Sequence, residues 1–180
     1  MADTRKISFI NFKGGIGKTS SVINVADFLA RKGKNVVVID GDRQRNATSV
    51  IPGFDIAVQY PNTLKQVLME EVPLIEALIE ARPGLYVCPS HRDLEKAAKY
   101  LTISGRRTQK HLAYEVDQLD GVDFVLIDHA PNYSPLSDAL LLASDEMIIP
   151  VQLEAFSMSG LVDMIDKLTE GLAELEHEVR

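Results

Sequence analysis

A glycine-rich run near the start of the chain carries the residue types of a phosphate-binding loop. Residues 13–19 read KGGIGKT, and glycines at these spacings let backbone N–H groups approach a phosphate without obstruction by side chains. Lys18 would place a positive charge between the β- and γ-phosphates of a nucleotide, and the Thr19 hydroxyl would bind Mg2+. The sequence therefore predicts a phosphate site that opens a helix, whose N-terminus also favours an anion.

Two carboxylates stand at the ends of apolar runs and suit the metal of such a site. Asp40 ends residues 35–40 (NVVVID), and Asp128 ends residues 122–128 (VDFVLID). An unpaired carboxylate is costly to bury, whereas a hydrated Mg2+ would stabilise it. Asp42 follows in a turn, where an aspartate can activate a water or simply accept hydrogen bonds from its own backbone. Taken alone, that position leaves both interpretations open.

The elements that must position these groups alternate along the chain. This order predicts an α/β fold with a mostly parallel sheet flanked by helices on both faces, and ligands at the carboxyl ends of the strands. The apolar stripe of the last helix is interpreted as core. Strands are predicted at residues 6–11, 35–40, 85–89, 122–128 and 146–151, and helices at 19–31, 63–69, 74–81, 94–101, 105–119, 134–143 and 157–179.

Composition limits the class of protein. At 180 residues with 46% hydrophobic residues, we expect a single domain over residues 1–180. The apolar runs are too short to span a bilayer, so no membrane insertion is expected. The single cysteine, Cys88, does not allow an internal disulfide and suits a reducing cytoplasm. A net charge of -7 means that any nucleic acid must be bound by a local basic patch.

The loop departs from the usual nucleotide-binding pattern in an informative way. The pattern G-x-x-x-x-G-K-[ST] requires glycine where this chain has Phe12. Residues 13–19 instead resemble the deviant Walker A loop of the ParA/MinD family of P-loop ATPases. In that family the first lysine, here Lys13, reaches the phosphates of the partner in a nucleotide-sandwich dimer. The resemblance implies nucleotide contacts from Lys13, Gly14, Gly15, Ile16, Gly17, Lys18, Thr19 and Ser20.

The aspartates fall within two further segments of the same resemblance. Residues 37–49 (VVIDGDRQRNATS) and 124–131 (FVLIDHAP) are similar to the family's Walker A′ and Walker B segments. By position, Asp40 would support the magnesium shell, Asp42 would position and activate the attacking water, and Asp128 would hold magnesium through water. The catalytic set implied by the resemblance is Lys13, Lys18 and Asp42, and the metal set is Thr19, Asp40 and Asp128.

Some positions differ from the usual family wording. Arg43 stands where proline is usual and Arg45 where glycine is usual, and His129 and Ala130 replace small or proline residues. We expect these changes to affect loop geometry and turnover more than nucleotide binding. The similarity runs from about residue 6 to residue 161 and includes residues 149–152 (IPVQ) followed by Glu154. Family members usually continue further, so the fold could lack C-terminal elements, including those that contact adenine.

The resemblance implies a ParA-like partition or cargo-positioning ATPase that uses ATP and Mg2+. It implies a homodimer formed on ATP binding, a ParB-like or other cargo adaptor that stimulates hydrolysis, and non-specific DNA as the track. The expected location is the cytoplasm of a prokaryote, associated with the nucleoid. Arg106, Arg107 and Lys110 could contribute a basic patch, although they also fit an ordinary solvated helix face.

Three other functions have to be compared with this one. A MinD-like membrane-positioning ATPase would carry a basic amphipathic tail, whereas residues 170–180 are mainly acidic. An iron–sulfur carrier shares the deviant loop but needs cysteine ligands, and Cys88 stands alone. A nucleotide-dependent scaffold with little hydrolysis would follow if Arg43 and Arg45 disable turnover.

Overall fold

The computed structural model describes residues 4–51, 60–152, 157–175 and 179. Six strands within these residues form one sheet in the order β3-β4-β2-β5-β1-β6. The strands are β1 (Arg5–Phe9), β2 (Val36–Gly41), β3 (Ile79–Arg82), β4 (Leu85–Cys88), β5 (Phe124–His129) and β6 (Glu146–Ile148). All neighbours pair in parallel except β3, which is antiparallel to β4. The predicted α/β class with a mostly parallel sheet is confirmed.

Helices cover both faces of this sheet. Their bounds are α1 (Lys18–Arg31), α2 (Asn46–Val50), α3 (Leu64–Leu68), α4 (Leu74–Ala77), α5 (Leu94–Ser104), α6 (Arg106–Gln109), α7 (His111–Asp117), α8 (Pro135–Leu142) and α9 (Ser157–Leu175). No helix of the described ranges is long and apolar enough to cross a membrane.

Strand β2 shows why the sheet lies in the middle of the molecule. Every residue of its run VVVIDG is buried, as expected for a parallel strand with helices on both sides. Because side chains alternate along a strand, Val37 and Ile39 pack with α3, α5, α7 and α8, whereas Val36 and Val38 pack with α1 and α2. The two hydrophobic layers fix β2 in place and carry Asp40 to its carboxyl end.

The turn after α1 matches its sequence signal. Gly33 adopts a left-handed backbone with φ of 78°, and its N–H donates to the carbonyl of Ala30 while the N–H of Lys34 donates to that of Leu29. These two bonds form a Schellman motif, which provides hydrogen-bond donors for carbonyls in the last turn of the helix. The first helix, predicted to end at residue 31, ends at Arg31, as a glycine two residues later favours.

The predicted helix at residues 74–81 is wrong in its second half. Helix α4 stops at Ala77, and the chain continues as strand β3, in which Ile79 pairs with Val87 and Arg82 with Leu85. Pro83 and Gly84 form the turn that closes the β3–β4 hairpin. The hairpin is favoured over a longer α4 because β3 forms hydrogen bonds with the backbone groups at the edge of β4, which a helix would leave unpaired.

Smaller differences concern the lengths of elements. The predicted helix at residues 105–119 is interrupted at Lys110, which keeps a right-handed helical backbone between α6 and α7. Strand β6 ends at Ile148, short of the predicted residue 151, and α2 was not predicted because its five residues, NATSV, are too short for a periodic pattern.

Helix α9 begins at Ser157 as predicted and is described to Leu175, while residues 176–178 and Glu154 lie outside the described residues. The predicted stripe consists of Leu161, Ile165, Leu168, Leu172 and Leu175. Leu168 is buried with Ile10 and Leu141, and Leu161 and Leu172 pack partly buried against the same cluster, which supports the interpretation of the stripe as core. Ile165 is an exception, since 43% of it is exposed.

Gly41 makes the closest approach in this architecture, and we predict that Gly41→Ala is destabilising. A Cβ there would lie 2.5 Å from a methyl group of Leu140 and 2.7 Å from the carbonyl oxygen of Asp128. Such overpacking costs about 1–3 kcal/mol, measurable by urea unfolding. Gly160→Ala in α9 is the matched control, because nothing lies within 4 Å of its Cβ position. Equal unfolding free energies for both variants would contradict the prediction.

Candidate nucleotide and magnesium site

The glycine-rich loop lies between β1 and α1, at the carboxyl edge of the sheet. Gly15 and Gly17 have φ of 73° and 95°, a conformation that glycine adopts without strain. A Cβ at Gly14, Gly15 or Gly17 would meet nothing within 4 Å, so the space above the loop is open. A cavity of about 630 Å3 occupies this space, lined on one side by residues 14–20 and on the other by Asp42, Gln44 and Asn46.

Two side chains hold the start of the loop. Asn11 donates from Nδ2 to the carbonyl of Pro150 at 2.8 Å, and its Oδ1 accepts from the N–H of Lys13 at 2.8 Å. The ring of Phe12 meets that of Tyr133 edge-on, with centroids 5.8 Å apart. The sequence alone does not indicate that Asn11 and Phe12 position the loop. Its one signal is the presence of Phe12 in the place of the usual glycine.

Lys18 is buried beside the carboxylates at the base of the cavity. Its Nζ donates to the carbonyl of Lys13 at 3.3 Å. Burial lowers the pKa of Lys18, while Asp128 and Asp42 act in the opposite direction. A phosphate would bring further negative charge to this lysine. Lys13 itself is exposed at the other end of the loop.

Asp128 and Thr19 make the contact expected of a magnesium site. The Thr19 hydroxyl donates to Asp128 Oδ2 at 2.7 Å. The carboxylate is fully buried, and within the part of the chain that the structure describes its Oδ1 has no hydrogen-bond partner. Burial raises the pKa of Asp128 to about 7, against the hydrogen bond from Thr19. A hard cation with oxygen ligands fits these groups, because it would satisfy the orphaned oxygen and favour the charged form.

Asp40 organises the segment that follows β2. Its Oδ2 accepts from both the N–H and the hydroxyl of Thr48, at 2.7 and 2.6 Å, and its Oδ1 accepts from the N–H of Asp42 at 3.1 Å. Burial raises the pKa of Asp40 to about 6, although the bonds from Thr48 and Asp42 oppose this shift. The Thr48 hydroxyl also accepts from the N–H of Ser90. Asp40 thus fixes the conformation of residues 42–48 by hydrogen bonds. A role of Asp40 in the magnesium shell stays a prediction.

Asp42 lines the same cavity as the glycine-rich loop. Its Oδ1 accepts from the N–H of Gln44 at 2.9 Å, and its carbonyl accepts from the N–H of Arg45. The hydrogen-bonded turn considered in the sequence is therefore present. It also holds the carboxylate at the cavity wall, so the turn and a catalytic role are compatible at this position.

Comparison with known proteins decides the family. A family model described as an AAA domain matches residues 4–179. The chain is 35% identical over 179 residues to the chromosome-partitioning ATPase Soj of Thermus thermophilus, covering 99% of this chain and 67% of Soj. This chain belongs to the ParA/MinD family, on the ParA side. It is also 34% identical over 165 residues to the chromosome partitioning protein ParA of Caulobacter vibrioides, covering 89% of this chain and 61% of that one.

Solved structures agree with this assignment of the ParA-family chain. Cobyrinic acid a,c-diamide synthase from Mycobacterium smegmatis, crystallised with an ATP analogue and magnesium, superposes with a TM-score of 0.86 at 27% identity, over 95% of this chain and 69% of that one. The P-loop fold is therefore shown. This chain spans 61–67% of the length of the two curated relatives.

His129, a departure from the usual ParA wording, points away from the nucleotide cavity. Its Nε2 lies 2.9 Å from the Ser8 hydroxyl, which donates to Ser144 Oγ, which in turn donates to the carbonyl of Leu141. With the Ser8 proton used in this way, Nε2–H of the imidazole donates to Ser8. Burial lowers the pKa of His129 to about 3, so the ring is neutral. The His129 side chain thus links β5 through hydrogen bonds to β1 and to the end of α8.

The raised pKa values predict a pH dependence of the metal-free protein. A carboxyl group whose pKa is higher in the folded than in the unfolded chain contributes stability at low pH, and this is lost as the pH rises through the folded value. Between about pH 4 and pH 7, Asp40 and Asp128 should lower the unfolding free energy as pH rises. Asp128→Asn should weaken this decline, measured by denaturant unfolding in EDTA. His129, whose pKa is lowered in the folded chain, makes the unfolding free energy rise with pH to the same extent in the wild type and in Asp128→Asn. Identical pH profiles for the two proteins would contradict the prediction.

Proposed function

We propose that this chain is one P-loop ATPase domain that binds ATP with Mg2+ and hydrolyses it to ADP and phosphate, as a ParA-type partition or cargo-positioning ATPase. The observation that carries the proposal is a single cavity lined by the glycine-rich loop, with its Lys18 and Thr19, and by Asp42. Asp128 is joined to this cavity by the hydrogen bond that it accepts from the Thr19 hydroxyl. The names of Soj and ParA support the same activity, since both are chromosome-partitioning proteins.

Binding of the triphosphate would rest on the loop and on Lys18. The backbone of residues 14–19 supplies N–H donors around open space, and the buried Lys18 supplies a charge that the protein offsets only partly. Thr19 and Asp128 would hold magnesium, which neutralises charge on the phosphate oxygens when bound. Phosphoryl transfer depends on positioning and charge neutralisation, so no nucleophilic side chain is needed.

Asp42 would orient the attacking water. One of its oxygens is fixed by the N–H of Gln44, and no described residue donates a hydrogen bond to the other. The carboxylate is nearly buried on the wall opposite the loop. A fixed carboxylate that faces the phosphate region can accept a hydrogen bond from water and later a proton. Asp42 is therefore the proposed catalytic carboxylate.

Lys13 would act on a second protomer. It is exposed at the start of the loop, whereas Lys18 at the other end of the loop is buried. We therefore propose that it contacts the nucleotide of a partner subunit in an ATP-dependent homodimer. A ParB-like or other cargo adaptor and non-specific DNA complete the proposed system, in the cytoplasm and on the nucleoid of a prokaryote.

Conservative substitution of Asp42 tests the catalytic assignment. Asp42→Asn keeps the volume and the bond from Gln44 but removes the negative charge, so ATP affinity should persist while phosphate release falls about 10²- to 10⁴-fold. Lys18→Ala should instead abolish nucleotide binding, measured with a fluorescent ATP derivative. Asp120→Asn, in an exposed turn, should behave as wild type. Normal turnover by Asp42→Asn would remove the assignment.

Removal of the Lys13 side chain tests the proposed dimer. With Mg2+ and a non-hydrolysable ATP analogue, Lys13→Ala should weaken dimerisation about tenfold or more, because one charge then lacks its partner across the interface. Light scattering after size exclusion measures the effect. Lys110→Ala, another exposed lysine, serves as the control. Equal dimer formation by both variants would contradict the cross-subunit role.

A further inference from the structure

A strongly basic cavity adjoins the nucleotide cavity without being part of it. It measures about 330 Å3 and is lined by Arg43, Gln44, Arg45 and Arg92. Gln44 also lines the nucleotide cavity, so the two spaces meet at this residue. Three guanidinium groups around so small a space are unexpected in a chain whose net charge is -7.

Arg45 has a backbone conformation that residues other than glycine rarely adopt. Its φ of 60° and ψ of 32° are left-handed, a conformation that strains residues other than glycine. Glycine is the usual residue at this position in the family, whereas this chain places an arginine there despite the strain. The Nε of Arg45 is also buried without a hydrogen-bond partner among the residues that the structure describes. A buried donor of this kind needs an acceptor.

The surroundings leave the cavity positive. Arg43 pairs with Glu95 on α5, and Lys96 pairs with Asp93. Arg92 is exposed and makes no ion pair within the described part of the chain. The local field is visible at His91, whose pKa is lowered by burial and then by Lys65, Arg45 and Lys96, with only Asp93 opposing them. Cationic groups thus outnumber the nearby carboxylates.

We propose that Arg43, Arg45 and Arg92 form a binding site for a phosphate group, separate from the glycine-rich loop. Guanidinium groups donate paired hydrogen bonds in a geometry that matches phosphate oxygens. No apolar side chain lines the cavity, whereas a docked protein segment would need an apolar centre to its interface. The phosphate group is either free inorganic phosphate or part of a nucleic-acid backbone. The site does not depend on ATP hydrolysis by the chain.

Two probes and two variants test this site. The glycine-rich loop is first filled with Mg2+ and a non-hydrolysable ATP analogue, so that binding there does not interfere. Inorganic phosphate is titrated by calorimetry, and a duplex oligonucleotide of random sequence is titrated by fluorescence anisotropy at several salt concentrations. The variants are Arg45→Gly, which restores the unstrained residue, and Arg92→Ala. Arg31→Ala, at an exposed arginine that ends α1, is the matched control.

We expect at least one probe to bind the wild type and both site variants to bind it about fivefold or more weakly, with Arg31→Ala unchanged. Weaker binding of inorganic phosphate by the site variants identifies a free anion as the ligand. Weaker binding of the duplex alone, with a salt slope reduced by about one for each arginine, identifies a backbone phosphate. Thermal unfolding checks that Arg45→Gly remains folded. The proposal is overturned if neither probe binds the wild type, or if the site variants bind both probes as Arg31→Ala does.

Discussion

The burial of two carboxylates side by side is the constraint on which the rest of the site depends. Asp40 and Asp128 are register partners at the ends of β2 and β5, and both are inaccessible to solvent. Burial of negative charge is costly unless hydrogen bonds or cations compensate for it. Thr48 and the backbone of Asp42 compensate at Asp40, and Thr19 does so at Asp128. Among the residues that the structure describes, none donates a hydrogen bond to Oδ1 of Asp128, and a bound cation would satisfy this oxygen.

The loops around this pair take their shape from it. Asp40 holds the segment from Asp42 to Thr48 by three hydrogen bonds, and Thr48 passes the connection to Ser90 after β4. Gly41 lets α8 approach β2 closely because a larger residue would strike Leu140. The catalytic candidate Asp42 lies on this segment, and so do Arg43 and Arg45 of the basic cavity, so both features depend on its attachment to the sheet.

Much of this arrangement can be predicted from local sequence, because the signals are strong where burial and backbone geometry leave few choices. The run VVVID predicts a strand buried on both faces, and Gly33 predicts the end of α1. The hairpin at Ile79 to Cys88 cannot be obtained in this way, since its register depends on a partner strand that periodicity does not show. The network from His129 through Ser8 to Ser144 joins residues more than 120 positions apart at its first step, and no local pattern indicates it. The place of the glycine-rich loop between β1 and α1 is predictable from its spacing, whereas its anchors at Asn11 and Tyr133 depend on the tertiary fold.

The central claim is that Lys18, Thr19 and Asp128 hold the magnesium and phosphates of a nucleotide. A crystal structure of the chain with Mg2+ and a non-hydrolysable ATP analogue tests it most directly. The account predicts triphosphate density on residues 14–19, with Lys18 Nζ moved from the Lys13 carbonyl to phosphate oxygens and the metal at the Thr19 hydroxyl. A nucleotide bound elsewhere, or one bound on the loop with the Lys18–Lys13 and Thr19–Asp128 contacts both unchanged, would contradict it.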